Sequence, residues 1–258
     1  MTSFVRVFDE AAESYENVGV PFFTPIGSAL VAAAAPRRGS RALDVGCGTG
    51  AVLLPLAAAV GSEGHVTGID LAPGMVARAS AVATGLRQVT VRAGDAQAPD
   101  FPDGSFDLVT AGLVVFFLPD PPAALRAYRK LLKPGGRLAV SSFAQHDPRY
   151  PQAMRVLARF AEDPPPPRRN HPIFESAPQL REAFLAAGFA SASDREVVVH
   201  SEFRDAAHVY EWIGSHGGRD LVSKVPLGRR AAAIATLAGE LEHPLTFATR
   251  IRIVLGEC

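Results

Sequence analysis

Three carboxylates and three glycines carry the chemistry this sequence can support. Asp44 stands just ahead of the first glycine in Leu43-Asp44-Val45-Gly46-Cys47-Gly48-Thr49-Gly50, Asp70 closes the stretch Gly64-His65-Val66-Thr67-Gly68-Ile69, and Asp95 follows Ala93-Gly94. Glycines at 46, 48 and 50 let the backbone take φ values closed to other residues, and without a Cβ a ligand can lie against the main chain. Free N–H groups opening a following helix would face the same bend. Such a loop holds a nucleotide cofactor. Residues 46–51 fit the dinucleotide fingerprint G-x-G-x-x-A, which grips a pyrophosphate, and they fit equally a loop that holds S-adenosylmethionine (SAM). Asp44 separates the two: its carboxylate would repel a diphosphate and complement a ligand carrying an ammonium and a sulfonium.

The elements that must position these groups follow from the apolar pattern. A short apolar segment into the glycines, then the alanine-leucine run of residues 51–60, reads as strand, loop, helix. Residues 64–70, 88–92 (QVTVR) and 106–111 (FDLVTA) read as further strands, and Pro73 opens a helix. The acids at 44, 70 and 95 then end three successive strands, where ligands bind in open α/β sheets. Asp70 sits where it can accept from both ribose hydroxyls, which either cofactor would use. Asp95 offers an acceptor to the adenine amino group, with the Ala96 N–H beside a ring nitrogen. Against a reductase, Tyr15, Tyr128, Tyr150 and Tyr210 are followed four places on by Gly19, Leu132, Met154 and Gly214, so no Tyr-x-x-x-Lys pair exists.

The run from Leu43 to Gly50 resembles the first motif of class I SAM-dependent methyltransferases, in the subgroup similar to ubiquinone/menaquinone-biosynthesis and other small-molecule methyltransferases. Lys133-Pro134-Gly135-Gly136 ahead of a strand is a second such motif, read as the turn that reverses the chain. The likeness is strong over residues 41–143 and weak elsewhere. It implies an α/β, Rossmann-like, doubly wound sheet of seven mostly parallel strands with an antiparallel last strand, residues 246–255, and a helical lid. Residues 1–36 would form N-terminal lid helices and residues 37–258 the SAM-binding core, with lid insertions at about 145–175 and 203–243.

The resemblance also implies a cofactor set: Tyr15, Asp44, Gly46, Cys47, Gly48, Gly50, Asp70, Leu71, Met75, Gly94, Asp95, Ala96, Ala111, Gly112 and Leu113. Tyr15 lies in a Phe-Asp-x-x-Ala-x-x-Tyr segment that folds over the cofactor in similar enzymes, and Met75 packs on adenine in the family pattern, or else fills core. Family members often carry a small polar residue where Gly112 stands, which leaves main-chain contact only. The acceptor would meet Phe22, Phe23, Phe116 and Phe117, the last two also able to face the sulfonium. Methyl transfer is a direct displacement, so alignment and exclusion of water are the main tasks. Where a hydroxyl is methylated a histidine can take its proton, and His146 and His171 are the candidates.

Composition sets the outer bounds. In 258 residues, 26 basic side chains balance 26 acidic ones, so there is no electrostatic footprint for nucleic acid. Cys47 and Cys258 are the only cysteines, enough for neither a disulfide framework nor a cysteine zinc site. His200, His208 and His216 recur every eight residues, which is not a metal-ligand spacing, so no metal is expected. Residues 1–7 lack a signal-peptide pattern and the apolar residues 29–35 are too few to span a bilayer, so a cytoplasmic protein with no membrane insertion is expected. Residues 163–170, with four prolines, read as a stiff connector, residues 176–187 as a helix and 193–200 as a strand. The expected activity is SAM-dependent methylation of a small, largely apolar acceptor, quinone-like or a secondary metabolite, by a monomer or homodimer. Its competitors are an NAD(P)-dependent oxidoreductase and a SAM-binding cyclase or non-transferring protein.

Overall fold

Seven strands form one sheet in the computed structural model, which describes residues 3–166 and 170–258. They are β1 (Arg41–Val45), β2 (His65–Asp70), β3 (Val89–Ala93), β4 (Phe106–Gly112), β5 (Leu132–Gln145), β6 (Ser191–Glu202) and β7 (Thr246–Glu257), in the order β3-β2-β1-β4-β5-β7-β6. The pairs β1–β2, β1–β4, β2–β3 and β4–β5 are parallel, while β7 runs antiparallel to both β5 and β6. This is the expected doubly wound architecture with a reversed last strand, and the strand order reverses beside β1. The side chain of Phe4, residues 1 and 2, and the Pro167-Arg168-Arg169 part of the connector lie outside the described residues.

Alternation along the strands feeds two cores. Leu43, Val45, Val109, Leu138 and Val254 pack on one face with Leu125 and Tyr128 of α5 (Pro121–Leu131) and with Leu180 and Phe184 of α7 (Ala177–Ala186). Ala42, Leu108, Ala139 and Ile253 pack on the other with α2 (Phe23–Ala34), α3 (Leu53–Val60) and Ala79 of α4 (Pro73–Val82). Asp120 caps α5 by accepting from the Ala123 N–H at 2.9 Å, and Ser176 caps α7 through the Gln179 N–H. The Lys-Pro-Gly-Gly stretch, expected as a turn ahead of its strand, is instead a bulge inside β5. Leu132 pairs with Phe106 but Arg137 with Leu108, so five residues of one strand answer two of the other. Lys133 Nζ reaches Asp107 Oδ1 at 2.7 Å, and Asp107 Oδ2 accepts from the Arg41 N–H at 2.8 Å, so the bulge ties β5 to the starts of β4 and β1.

A third core packs helices on one end of β6 and β7, through Val199, Phe247 and Ile251. Val20, Phe22 and Ile26 pack there with Val156 and Leu157 of α6 (Arg149–Phe160), Val209, Trp212 and Ile213 of α8 (Ala206–Gly214), Leu221 of α9 (Arg219–Ser223) and Ala233 and Leu237 of α10 (Leu227–Glu240). α9 was not foreseen in the sequence. Glu16, at φ 56°, holds the start of α2 by accepting from the Phe22 N–H at 2.9 Å and the Thr24 N–H at 2.7 Å. That long-range cap sets the start of the helix at Phe23. α1 (Ser3–Ala11) lies against α4, with Asp9 accepting from the Gly74 N–H at 2.6 Å. Among the described residues no helix is long and apolar enough to cross a membrane, and no group of three or more His, Cys, Asp or Glu is placed to hold a metal ion.

Gly27 is where α2 meets the chain just beyond the glycine loop. A Cβ there would stand 2.1 Å from the Ala51 carbonyl oxygen, a backbone atom that cannot swing aside. Gly27→Ala is therefore expected to lower thermal stability by about 3 kcal/mol, the upper end of ordinary overpacking. In a thermal melt that is a Tm lower by roughly 6–12 °C for a chain of this size; an unchanged Tm would show that α2 is free to move away.

Candidate functional site

β1 lies between β2 and β4, so its carboxyl end opens at the middle of the sheet. There the chain bends through Gly46 at φ 63° and Gly48 at φ 52°. At Gly46 a Cβ would lie 2.4 Å from Val114 Cγ2, so the position is closed by space as well as by conformation. At Gly48 nothing lies within 4 Å of where a Cβ would be, so this side of the bend is open. The bend is pinned by the Cys47 N–H on the Ile69 carbonyl at 2.9 Å and the Gly50 N–H on the Cys47 carbonyl at 2.9 Å. Cys47 itself turns inward: it is buried against Gly68, and burial together with Asp44 and Asp70 pushes its thiol up.

Asp44 is 1% exposed. Its Oδ1 accepts from the Thr110 hydroxyl at 2.8 Å, and its Oδ2 has no hydrogen-bond partner among the described residues. Burial pushes its pKa up to about 7, opposed by the Thr110 hydroxyl and reinforced by the Asp70 charge. A buried carboxylate oxygen without a partner is costly and is stabilised by a cation. Asp70 sits across the bend at the end of β2, its Oδ2 accepting from the Gly48 N–H at 2.9 Å and its Oδ1 from the Ala72 N–H at 2.9 Å. Burial raises its pKa, and these backbone N–H groups act the other way. Asp95 is exposed and accepts from the Gln97 N–H at 2.8 Å, while Ala96 is buried with its carbonyl taken by the Tyr128 hydroxyl at 2.6 Å. Gly94 is joined to β2 by its N–H on the Asp70 carbonyl at 3.0 Å, and Leu71 is left 49% exposed beside Asp70.

β4 supplies the next edge. Ala111 is buried, Gly112 has Val52 Cγ2 at 2.6 Å from where a Cβ would stand, and Leu113 takes a left-handed φ of 52° with its N–H on Ser141 Oγ at 3.1 Å. Val52 thus leaves no room for a side chain at this position. Strain of this kind at Leu113 is characteristic of functional sites, and no sequence signal marks it. Met75 is 1% exposed and packs with Ala12, Ala72, Phe8 and Tyr15, so it fills the joint between α1 and α4.

An aromatic wall runs from the cofactor loop outward. Tyr15, whose phenol is pushed up by burial and by Asp70, stacks on Phe23 at 4.4 Å, and Phe8 meets Phe117 at 5.2 Å. Phe22 contacts Trp212 at 5.4 Å and Phe143 at 6.4 Å, and Phe116 lies 5.5 Å from Phe143. The four phenylalanines expected at the acceptor side, Phe22, Phe23, Phe116 and Phe117, are therefore brought into one surface. His146 joins it, 4.4 Å from Phe143 and 5.0 Å from Tyr150, and burial lowers its pKa. His171 does not: it is exposed and its Nδ1 accepts from the Ile173 N–H at 3.3 Å, capping the short turn Pro172–Phe174. His216, read in the sequence only as part of a non-metal spacing, lies in the wall, 4.6 Å from Trp212 and 5.6 Å from Phe23.

Because Asp70 fixes the Gly48 and Ala72 N–H groups of the bend and is the acceptor expected for the ribose, Asp70→Ala is expected to weaken SAM binding by more than about 1 kcal/mol, the scale of a lost charge-assisted hydrogen bond. Unchanged affinity in a calorimetric titration would contradict the placement of the ribose there.

Comparison with known proteins agrees with this geometry. The model of the methyltransferase domain family (Methyltransf_11) matches residues 43–140. Nocamycin O-methyltransferase of Saccharothrix syringae is 37% identical over 251 residues, covering 91% of this chain and 89% of that one. Aklanonic acid methyltransferase DauC of Streptomyces sp. (strain C5) is 48% identical over 139 residues, which is 53% of this chain and 63% of that protein. The crystal structure of YcgJ from Bacillus subtilis superposes with a TM-score of 0.59 at 21% identity, over 90% of this chain and 97% of that one, a likeness of fold. With a partnerless carboxylate and an open bend at the end of β1, and with a full-length relative above, the chain belongs to the methyltransferase domain family and takes S-adenosylmethionine as its cofactor.

Proposed function

We propose that this protein transfers the methyl group of SAM to a small, largely apolar molecule, quinone-like or a secondary metabolite. The observation that carries the reading is the partnerless, buried Oδ2 of Asp44 at the open bend, which suits an ammonium and not a diphosphate. The names of the two relatives, one an aklanonic acid methyltransferase and one a nocamycin O-methyltransferase, support an acceptor of secondary-metabolite type. Asp44 would hold the ammonium, the backbone at Gly46, Cys47, Gly48 and Gly50 would border the ligand, and Asp70 would take the ribose. Leu71, Gly94, Asp95 and Ala96 would border adenine, with Met75 behind them, and Ala111, Gly112, Leu113 and Tyr15 would flank the methionine portion. When bound, the cofactor supplies an electrophilic methyl carbon.

The chain's own work is alignment. Leu113, fixed by Ser141, stands between the cofactor side and the aromatic wall, and the wall excludes water from the line of displacement. The segments of residues 1–36, about 145–175 and 203–243 act as the lid over both. In this reading the chain works as a monomer or homodimer on a free small molecule in the cytoplasm, with no nucleic acid involved. Incubation with methyl-labelled SAM and a panel of hydroxylated quinones, followed by mass analysis, tests it. Label in the product is the expected result; cyclised or unchanged acceptor with all label left in SAM would favour the cyclase or non-transferring reading.

A further inference from the structure

Methylation at a hydroxyl releases a proton, and the site described above holds a group placed to take it; the inference rests on that reading of the site. His216 follows α8 and is 7% exposed. Its ring lies against Trp212 at 4.6 Å, with Phe23 edge-on at 5.6 Å and Phe22 at 6.4 Å. Its Nδ1 is 3.3 Å from Ser215 Oγ, and that hydroxyl donates to the Trp212 carbonyl at 2.8 Å. A hydroxyl that has spent its proton on a carbonyl can only accept, so Nδ1 carries the imidazole hydrogen and Nε2 keeps the lone pair. Across the wall His146 is held between Phe143 and Tyr150, and Tyr150 closes back on Trp212 at 5.8 Å.

We propose that His216 is the general base of the transfer, and that the acceptor is a planar molecule carrying a weakly acidic hydroxyl, a phenol or an enol, rather than an amine. The rings of Phe22, Phe23, Trp212 and Tyr150 give a planar acceptor surfaces to stack on. The oxygen electron pair forms the bond to the methyl carbon, the carbon–sulfur bond breaks with its electrons remaining on sulfur, and the hydroxyl proton passes to His216 Nε2. The products are a methyl ether, the demethylated donor and an imidazolium that returns its proton to water.

Charge decides the acceptor class. Burial pushes the His216 pKa down to about 4, opposed by a hydrogen bond to the Trp212 backbone and reinforced by His146, so the free site presents a neutral imidazole through the whole neutral range. Among the described residues, the titratable groups facing it across the rings are His146 from the end of β5 and, one ring further, Tyr150 of α6 and Tyr15 beyond Phe23, while Arg219 of α9 sits three residues on, its N–H on the His216 carbonyl at 2.9 Å. An imidazole so placed gains a proton only when negative charge grows beside it, which an ionising hydroxyl provides and an ammonium does not.

Quinizarin, a planar hydroxyanthraquinone, is the probe. Its binding to the full chain saturated with S-adenosylhomocysteine is titrated near neutral pH, and single-turnover transfer from SAM is followed separately as a function of pH. The wild type is expected to bind the dye and to convert it to the methyl ether. His216→Asn, and His216→Phe as the variant that keeps the ring packing, are expected to bind it within about threefold and to transfer at least about 100-fold more slowly near neutral pH, the scale of a lost general base, with the loss shrinking as rising pH ionises the hydroxyl in solution. Dye that does not bind the wild type, variants that transfer at the wild-type rate, or a loss that does not shrink at high pH overturn the proposal. Failure of the wild type to bind SAM would instead overturn the function beneath it.

Discussion

Asp44→Asn is expected to weaken SAM binding by about 2–5 kcal/mol, roughly 30- to several-thousand-fold, the range for truncating one partner of a buried charge pair. Asparagine keeps the size of the side chain and an oxygen for the Thr110 hydroxyl, so the loop is left standing and the loss reads charge. A second readout belongs to Asp44 alone. With a pKa of about 7 the carboxyl of the free protein is near half protonation at pH 7, and a cation arriving at Oδ2 pulls its pKa down. Binding therefore releases protons near neutrality. Calorimetry at pH 7 in buffers of different ionisation enthalpy should show this release for the wild type and lose the Asp44 share of it in the variant. Equal affinity and equal proton release in both proteins would show that Asp44 does not meet the ligand.

Asp147→Ala is expected to cost about 3 kcal/mol of stability, the lower end for a buried pair because the Arg149 side chain is 22% exposed. Asp147 is 5% exposed, and it accepts from Arg149 Nε and Nη2 at 2.8 Å each, from the Arg149 N–H at 3.0 Å and from the Ala248 N–H at 2.9 Å. Arg149 in turn donates to the carbonyls of Pro244 and Thr246 and lies 5.1 Å over the Phe247 ring. The pair therefore clasps the end of β5 and the start of α6 to the chain entering β7. Removing one partner of such a pair strands the other charge, which costs about 3–5 kcal/mol when the pair is fully buried. The thermal midpoint should fall by roughly 6–12 °C.

The pH sense of the clasp is also fixed. Burial alone would raise the Asp147 pKa, but the Arg149 guanidinium and the two backbone N–H groups hold it at about 2. A depressed carboxyl contributes its stability above the ordinary carboxylate value, near 3.9, and loses it as pH falls through the folded value. The wild type should therefore lose its advantage over Asp147→Ala between about pH 4 and pH 2. Melts of equal midpoint at pH 7 would contradict the clasp.

What the sequence disclosed depends on how local each feature is. The glycine bend and the three acids at strand ends rest on spacing along one segment, the reversed strand of residues 246–255 rests on the family resemblance, and the structure places all of them as read. The bulge at residues 133–136 was read as a turn because Pro-Gly-Gly signals a turn wherever it falls; only the pairing of β5 with β4 shows that the strand resumes beyond it. His216 was missed because its neighbours are Phe22, Phe23 and Trp212, two of them nearly two hundred residues away, and an eight-residue histidine spacing carries no signal of that. His171 was chosen for its position in the chain, yet a two-residue hydrogen bond to Ile173 holds it at a turn on the surface. The start of α2 was not legible for the same reason: its cap, Glu16, is set by φ 56° at a non-glycine residue, a conformation that no local pattern announces.

The central claim is that the bend after β1 receives a cation. It is tested most directly by titrating the wild-type protein, in a calorimeter, with SAM and with NADPH at the same pH and salt. Saturable binding of SAM with no response to NADPH is the predicted result; saturable binding of NADPH with no response to SAM would contradict it.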